Sequence, residues 1–573
     1  MTEPGRIVQR PQNAALQLPS QLHPLLAQVY RARGIGGLDE LDTGLDKLLP
    51  PDGLTGIAQA AALLLRAINE GWPICIVGDY DCDGATSTAL ALDFLPRFGA
   101  AKVDFVVPNR FDYGYGLTPP IVEMVQALRS QLIITVDNGI SSVAGIAAAR
   151  AAGIHTLVTD HHLAGEQLPA ADVIVNPNQP GDGFPSKHLA GVGVLFYVLL
   201  ALRKLMRDEG SFSAGQEPNL AAGLDLVALG TVADVVPLDH NNRILVEQGL
   251  RRLRAGRARP GIAALLEAAG RPPQYLAASD LGFALGPRLN AAGRLDDMSI
   301  GIRCLAARSM DEARPLAAQL QQLNSERREL EGQMRDHALA MVEGHRGHGV
   351  TVFDESWHEG VVGLVASRVK DQLHRPSFAF APAQEAGLLK GSGRSVSGFH
   401  IRDALVAIDA RYPGLIAKFG GHAMAAGLSL QASRLDEFRQ AFEQIAQAQL
   451  SADQLQRQYL VDGAPGHEQL VLEAALALEQ GGPWGQGFAE PQFEGEFTVA
   501  GLRIVGERHA KYRLRTDDGR LLDAIHFGGA DVSAGSGRIT TVYRLVVNRF
   551  RDRQTAELQL QEVWPQSPLH AQQ

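Results

Sequence analysis

The segment Ile76-Val77-Gly78-Asp79-Tyr80-Asp81-Cys82-Asp83-Gly84 restricts the fold of this chain more than any other. An apolar run of strand character ends in three carboxylates at i, i+2 and i+4, followed by a glycine and a helix expected to start near Thr86. Acids at the carboxyl end of a parallel strand lie at the rim where α/β sheets bind ligands. Three carboxylates so close together repel one another unless a cation offsets them. A solvated Asp-rich turn or a weak calcium loop is the alternative, although an EF-hand loop needs a glutamate where this chain has Leu90.

The same pattern recurs. Leu132–Val136 runs into Asp137-Asn138-Gly139, and Thr156–Thr159 runs into Asp160-His161-His162. With Val103–Val107 and Val173–Val175 these runs predict parallel strands covered on both faces, with helices such as Ser87–Phe98 and Val143–Ala152 between them. The fold class is therefore α/β, with a doubly wound parallel sheet over Leu41–His240. A single strand-end Asp is commonly a helix cap, and a single His a surface residue. Three acid-bearing strand ends in one sheet are harder to explain in that way. A fourth candidate, Asp234, is embedded in the apolar stretch Leu226–Ala233, where an unpaired carboxylate would need a cationic partner.

Carboxylates and imidazole without thiolate suit Mn²⁺ or Mg²⁺ better than structural zinc. The three cysteines, Cys75, Cys82 and Cys304, are scattered and suggest neither a disulfide framework nor a thiolate site. Four or five carboxylates would hold two divalent cations roughly 3.5–4 Å apart, an arrangement suited to phosphoester hydrolysis.

Elsewhere, residues 1–40 carry Pro4, Pro11, Pro19 and Pro24 and read as an irregular arm. Met310–Glu343 reads as a long polar helix with a narrow stripe of Leu316, Leu320, Leu323 and Leu330, of the kind that bridges domains. A second α/β stretch follows, with Val350–Phe353, Val361–Leu373 and Ser377–Phe380. After Asp453 come short β-prone segments, Phe497–Val505, Tyr512–Thr516, Thr540–Asn548 and Ala556–Leu560, which suggest a small barrel of OB type and then a loose tail from Ser567. The longest apolar run, Val192–Leu202, is shorter than the ~18 residues of a membrane span, and the N-terminus does not read as a secretory signal. A cytoplasmic location is expected. The net charge of −10 argues against indiscriminate coating of a polyanion, yet Arg251–Ile300 holds eight arginines against four acids, so a local basic groove remains open.

The strand-end motifs resemble the DHH phosphoesterase family. Asp79-Tyr80-Asp81-Cys82-Asp83-Gly84, Asp137 and Asp160-His161-His162 look like its first three signatures, and Leu229–Leu238 like its fourth. Val107–Arg110 with Gly114-Tyr115-Gly116-Leu117, Gly286–Arg294, Gly391–Ser395 and Gly420–Gly427 narrow the resemblance to the family's single-strand-specific 5′→3′ exonucleases, over roughly Leu41–Val563. The resemblance implies an arm (1–40), a DHH catalytic domain (41–305), a connecting helix (306–346), a DHHA1-type accessory domain (347–450) and an OB-type single-strand-binding domain (455–566). It implies metal ligation by Asp81, Asp83, Asp137, His161 and Asp234, with Asp137 as the bridge. Asp79 is either a further ligand or an acid behind the ligands. Asp160 would orient its neighbours, and His162 would face the scissile phosphate. Cys82 stands where the family often has Ala, and no thiolate role is expected.

Arg110, Ser392 and Arg394 are expected to recognise the 5′ end, the glycine-rich Gly391–Arg394 presenting backbone N–H groups, a hydroxyl and a guanidinium to phosphate. Arg288, Asn290 and Arg294, in a loop rich in small residues, and His422 in its Gly-Gly-His turn would contact the strand. Basic residues interleaved with aromatics suit single strands, Tyr512 being either a stacking ring or a barrel-core ring, whereas Trp484 reads as core. The implied activity is two-metal hydrolysis of single-stranded DNA from the 5′ end, releasing mononucleotides in repair and recombination, with a closed ring excluding duplex. The cofactors are two divalent cations, Mn²⁺ or Mg²⁺. Single-strand-binding protein and a RecQ-type helicase are partners by resemblance only, and a monomer is expected. The rivals are a DHH hydrolase of small substrates and a catalytically silent scaffold. The extra barrel argues against the first and the complete set of acids and histidines against the second.

Overall fold

The computed structural model describes residues 5–108, 114–213, 215–531, 537–551 and 553–566. The chain separates into two compact units, the larger comprising residues 7–293, 297–321 and those from Leu460 onward, the smaller centred on residues 322–459.

The larger unit begins with a correction to the expected irregular arm, which contains a helix, α1 (Pro24–Arg31). Pro24 stands at its first turn, where a fixed φ and a missing N–H cost nothing, and His23 caps the N–H of Leu25. Leu25, Val29 and Tyr30 are buried beneath it. Strands β1 (Ile74–Gly78), β2 (Val103–Val106), β3 (Leu132–Val136), β4 (His155–Thr159) and β5 (Val173–Val175) form a parallel sheet in the order β2-β1-β3-β4-β5. Every residue of β1 and β3 is buried, which accounts for sequences without polar alternation. The register pairs Gly78 with Val136, so the acids that follow these two strands emerge side by side. The chain leaves β1 toward β2 and returns on its other side as β3. The gap between β1 and β3 is thus a topological switch point, the position at which parallel sheets take ligands.

Helix α2 (Cys82–Arg97) follows β1 and starts four residues before Thr86, because Asp81 caps it by accepting the N–H groups of Asp83 at 2.9 Å and Gly84 at 3.1 Å. The apolar run Val192–Leu202 lies in the buried helix α3 (Gly191–Asp208). The stretch before Asp234 is also a helix, α4 (Leu224–Ala233), buried from Leu224 to Thr231. The loop expected around Arg288 is helix α5 (Gly286–Leu295), entered through a π-helical turn at Leu281–Leu285. Helix α6 (Met310–Met341) runs from the larger unit into the smaller, with Leu320, Asn324, Glu331, Met334 and Ala338 buried along one narrow stripe.

The smaller unit is built on a second sheet of β6 (Val350–Phe353), β7 (Ser377–Pro382), β8 (Leu388–Arg394), β9 (Lys418–Gly421) and β10 (Ala425–Gln431), in the order β9-β10-β8-β7-β6. Alternate residues of β7 serve opposite cores. Phe378 and Phe380 meet Phe438 and Phe442 of helix α8 (Leu435–Gln449), whereas Ala379 and Ala381 join Val365, Ala366 and Val369 of helix α7 (Val362–Leu373).

The C-terminal strands β11 (Phe493–Val505), β12 (His509–Arg515), β13 (Leu521–His526), β14 (Arg538–Phe550) and β15 (Arg553–Pro565) close into a barrel of order β11-β12-β13-β15-β14, filled by Phe497, Tyr512, Leu514, Tyr543 and Leu558. Tyr512 is 1% exposed and cannot stack on a base. Trp484 lies parallel to Phe488 at 5.0 Å within the same unit, a packing role.

Candidate metal centre

The carboxyl ends of β1, β3 and β4 and the end of α4 converge on one point. Asp83, in the first turn of α2, is fully buried, and its carboxylate accepts the N–H groups of Gly191 at 2.6 Å and Val192 at 3.0 Å. It thus faces the positive end of the α3 dipole. Asp137 follows β3 with φ of 62°, a left-handed conformation that costs a non-glycine residue roughly 1–2 kcal/mol. Gly191 makes room for it, since a Cβ there would lie 2.6 Å from Asp137 Cβ. His161 Nε2 is 3.0 Å from Asp137 Oδ1 and 3.5 Å from Asp234 Oδ2. One donor atom from each residue falls within 4.8 Å in three sets: Asp79 with Asp81 and Asp137; Asp83 with His161 and Asp234; and Asp137 with His161 and His162. Asp137 and His161 each belong to two of these sets.

Asp160 holds the histidine turn in shape rather than joining these sets. One oxygen accepts the N–H groups of His161 at 2.7 Å and His162 at 3.1 Å and lies 2.8 Å from His162 Nδ1; the other accepts the N–H of Ile140 at 2.9 Å.

The electrostatics follow from this crowding. Burial, then the neighbouring Asp81, pushes the Asp83 carboxyl up to about 7. Burial and Asp83 raise Asp137 and Asp234 well above the carboxylate range. Burial acts on Asp160 in the same sense, but the hydrogen bond and charge of His162 outweigh it and hold Asp160 low. His162 is raised to about 9, because Asp160 more than offsets the burial that would lower it.

A divalent cation fits these residues. Asp137 Oδ1 is buried with no hydrogen bond among the described residues, and no lysine or arginine among them pairs with Asp81, Asp83, Asp137 or Asp234. Asp234 caps the carboxyl end of α4, where the helix dipole disfavours an anion. Oxygen donors with one imidazole match the hard divalent ions. Asp81, Asp83, Asp137, His161 and Asp234, with Asp79 adjoining, would hold them.

Comparison with known proteins fits this geometry. The DHH family N-terminal domain model matches residues 73–231, the DHHA1 domain model residues 347–448 and the RecJ OB domain model residues 461–562. The single-stranded-DNA-specific exonuclease RecJ of Escherichia coli K12 is 49% identical over 96% of this chain and 97% of that one. The chain belongs to the RecJ family. RecJ of Bacillus subtilis is 34% identical over 97% of this chain and 70% of its own length. The structure of RecJ from Thermus thermophilus in complex with Mn²⁺ covers 98% of this chain and 80% of that one with a TM-score of 0.82 and 29% identity. The Mg²⁺ complex of the same protein gives 0.76 with 28% identity over 98% of this chain and 78% of that one.

The remaining candidates lie on several different elements. Arg110 lies outside the described residues. Arg288 and Asn290 sit on α5 in the larger unit; Arg288 Nε donates to Gln321 Oε1 at 2.8 Å, and Asn290 Oδ1 accepts the N–H of Cys82 at 2.7 Å. Asn290 thereby fixes the start of α2. Arg294 belongs to the smaller unit and donates to the Gly360 carbonyl at 3.0 Å. Ser392 and Arg394 are not on a turn but on β8, whose backbone is paired on both sides by β7 and β10. That pairing overturns the expected phosphate cradle of backbone N–H groups. The glycines are there because Phe378 and Phe380 press on them: a Cβ would lie 2.4 Å from Phe378 at Gly393 and 2.3 Å from Phe380 at Gly391. The Ser392 hydroxyl and Arg394 guanidinium share the opposite face, 2.9 Å apart, beside Gly363 at the start of α7. His422 is exposed in its turn, its N–H donating to the Ala425 carbonyl at 2.7 Å.

Three contributors escaped the sequence reading. Asn176 and Asn178 donate to the carbonyls of His162 at 2.9 Å and His161 at 2.6 Å, and the Asn-Pro-Asn after β5 was their only signal. Tyr115 is the third. Its hydroxyl lies 3.2 Å from both the Asp137 carbonyl oxygen and His162 Nδ1.

Proposed function

We propose that the chain is a metal-dependent exonuclease that degrades single-stranded DNA from its 5′ end, releasing mononucleotides, and that it serves DNA repair and recombination. The observation that carries this reading is the convergence of Asp79, Asp81, Asp83, Asp137, His161 and Asp234 in overlapping sets of donors within 4.8 Å, in a chain that matches RecJ exonucleases along nearly its whole length. When bound, two divalent cations, Mn²⁺ or Mg²⁺, supply Lewis acidity and neutralise charge on the scissile phosphate. The chain's own residues hold and orient. Asp160 turns His162 so that Nε2 remains for the leaving oxygen, and the hydrogen bond between them favours the protonated imidazole in the metal-free centre. Asn290 and Asp81 satisfy the N–H groups at the start of α2 and so fix Asp83.

The side chains of Ser392 and Arg394 form a compact hydroxyl–guanidinium pair suited to a terminal phosphate, which supports their part, with Arg110, in 5′-end recognition. Arg288, Arg294 and His422 are assigned to the strand. Single-strand-binding protein and a RecQ-type helicase are its proposed partners, as a monomer in the cytoplasm; no single described helix is long and apolar enough to cross a membrane. The deciding experiment follows 5′- and 3′-labelled single strands with Mn²⁺, with Mg²⁺ and with EDTA, beside a blunt duplex. Stepwise loss of the 5′ label with either metal supports the reading. Release from the 3′ end, or equal attack on the duplex, refutes it.

A further inference from the structure

The hydroxyl of Tyr115 stands between two groups of the centre. It donates to the Asp137 carbonyl at 3.2 Å and lies 3.2 Å from Nδ1 of His162. Its ring meets the imidazole edge-on, with centroids 5.8 Å apart and planes at 76°. The turn that carries it is built for the purpose. Gly114 and Gly116 flank it with φ of 76° and 73°, conformations that side-chain-bearing residues rarely adopt. A Cβ on Gly116 would lie 2.9 Å from Ser142 Oγ, and that oxygen accepts the N–H of Leu117 at 3.1 Å, tying the turn to the segment that follows β3.

We infer that Tyr115 is a positioning residue, whose hydroxyl locks the Asp137 peptide and the His162 imidazole in one mutual orientation. The inference rests on the exonuclease reading. Asp137 holds a left-handed backbone, and such a peptide keeps its orientation only when its surroundings over-determine it. The Tyr115 hydroxyl supplies a donor to its carbonyl. His162 is already held by Asp160 at 2.8 Å, but a ring held through one atom can pivot. The Tyr115 oxygen, its proton directed to the Asp137 carbonyl, lies 3.2 Å from Nδ1 and 3.5 Å from Nε2, against the ring between the two nitrogens, and blocks that pivot. One phenol thus couples the backbone of Asp137 to the ring beside the leaving oxygen. The role acts through His162 and through geometry, and a misplacement of about 1 Å at such a centre costs up to roughly a hundredfold in rate.

The test compares Tyr115→Phe, His162→Ala and the double variant in single-turnover degradation of a 5′-labelled single strand with Mn²⁺ and enzyme in excess. Tyr115→Phe keeps the ring and removes only the hydroxyl. It is expected to slow cleavage by roughly 10- to 100-fold, with the half-saturating enzyme concentration within about twofold of wild type. In the His162→Ala background the same change is expected to cost less than about twofold, because the ring it positions is gone. The inference is overturned if Tyr115→Phe cleaves within twofold of wild type, if its cost is equal in both backgrounds, or if the loss lies in strand affinity. A wild-type protein that releases no nucleotide strikes the exonuclease reading itself and takes this role with it.

Discussion

Buried acids of the larger unit are stabilised in two opposite ways. Asp462 is fully buried and meets Arg33 through both oxygens, at 2.5 and 2.9 Å, with Arg10 Nε at 3.7 Å and the Gln492 N–H at 2.9 Å. Its charge is answered from within the chain. Asp83 and Asp137 are equally buried, yet no lysine or arginine among the described residues pairs with either, and their neighbours include further carboxylates. A protein can bury an anion either by surrounding it with its own cations or by leaving the charge for an ion from solution. The first solution serves packing and the second creates a site, and the difference can be tested by exchanging charge for amide in each.

The largest effect is expected from Asp137→Asn. Loss of this carboxylate should lower Mn²⁺-dependent nucleotide release roughly a thousandfold or more, while strand binding in EDTA, read by fluorescence anisotropy, stays close to wild type. Its metal-free stability should hold or rise, because an uncompensated buried charge has gone. Asp462→Asn should do the reverse. It strands Arg33 without its partner and should cost about 3–5 kcal/mol in urea unfolding, with activity per folded molecule retained. If the two variants lose stability equally, the distinction between the sites fails.

Metal addition sharpens the contrast on the same scale. Mn²⁺ at a hundred times its Kd should stabilise the wild type by about 2.7 kcal/mol, and it should leave Asp137→Asn almost unmoved in thermal melts. A pH series in EDTA reads the repulsion directly. The Asp83 carboxyl, raised to about 7 in the fold against about 4 when unfolded, destabilises the metal-free protein at pH 8 and ceases to do so as pH falls toward 4. His162, raised to about 9, adds stability below its unfolded value near 6.5 that is lost as pH rises through 9. Both make the metal-free wild type more stable on acidification from pH 8 to 5. Asp83→Asn should flatten the lower part of that slope, and an unchanged slope would place the raised carboxyl elsewhere.

Most of the acids were legible because they follow parallel strands buried along all or nearly all of their length, and such strands have continuous apolar sequences that stop abruptly at the rim. Asp234 was found for its charge, but its setting was not: α4 is buried all round, so its sequence carries no helical period to separate it from a strand. Gly391–Arg394 read as a turn because glycine usually marks one. Here two phenylalanines of the adjacent strand occupy the space that side chains would fill, a cause that no local pattern contains. Strand β13 was missed since it is short and mostly half-exposed. Tyr115 reaches His162 across 47 positions and only through the strand order, so nothing in its own segment could name the contact.

The smallest effect separates two roles for Asn290. The sequence reading gave it to the strand, whereas the structure shows its side-chain oxygen accepting the N–H of Cys82 at 2.7 Å. The first N–H groups of a helix have no partner within it, and in α2 those of Asp83 and Gly84 are taken by Asp81, so that of Cys82 depends on Asn290. Asn290→Ala leaves this donor unmet in a partly buried place, at a cost of about 1–3 kcal/mol, and loosens the turn on which Asp81 and Asp83 are carried. Groups that orient metal ligands typically shift metal affinity by roughly 10- to 100-fold when removed. The expected result is therefore a higher half-saturating Mn²⁺ concentration at unchanged strand KM. A raised strand KM at unchanged Mn²⁺ requirement would return Asn290 to the nucleic acid and leave the acid-bearing turn held by Asp81 alone.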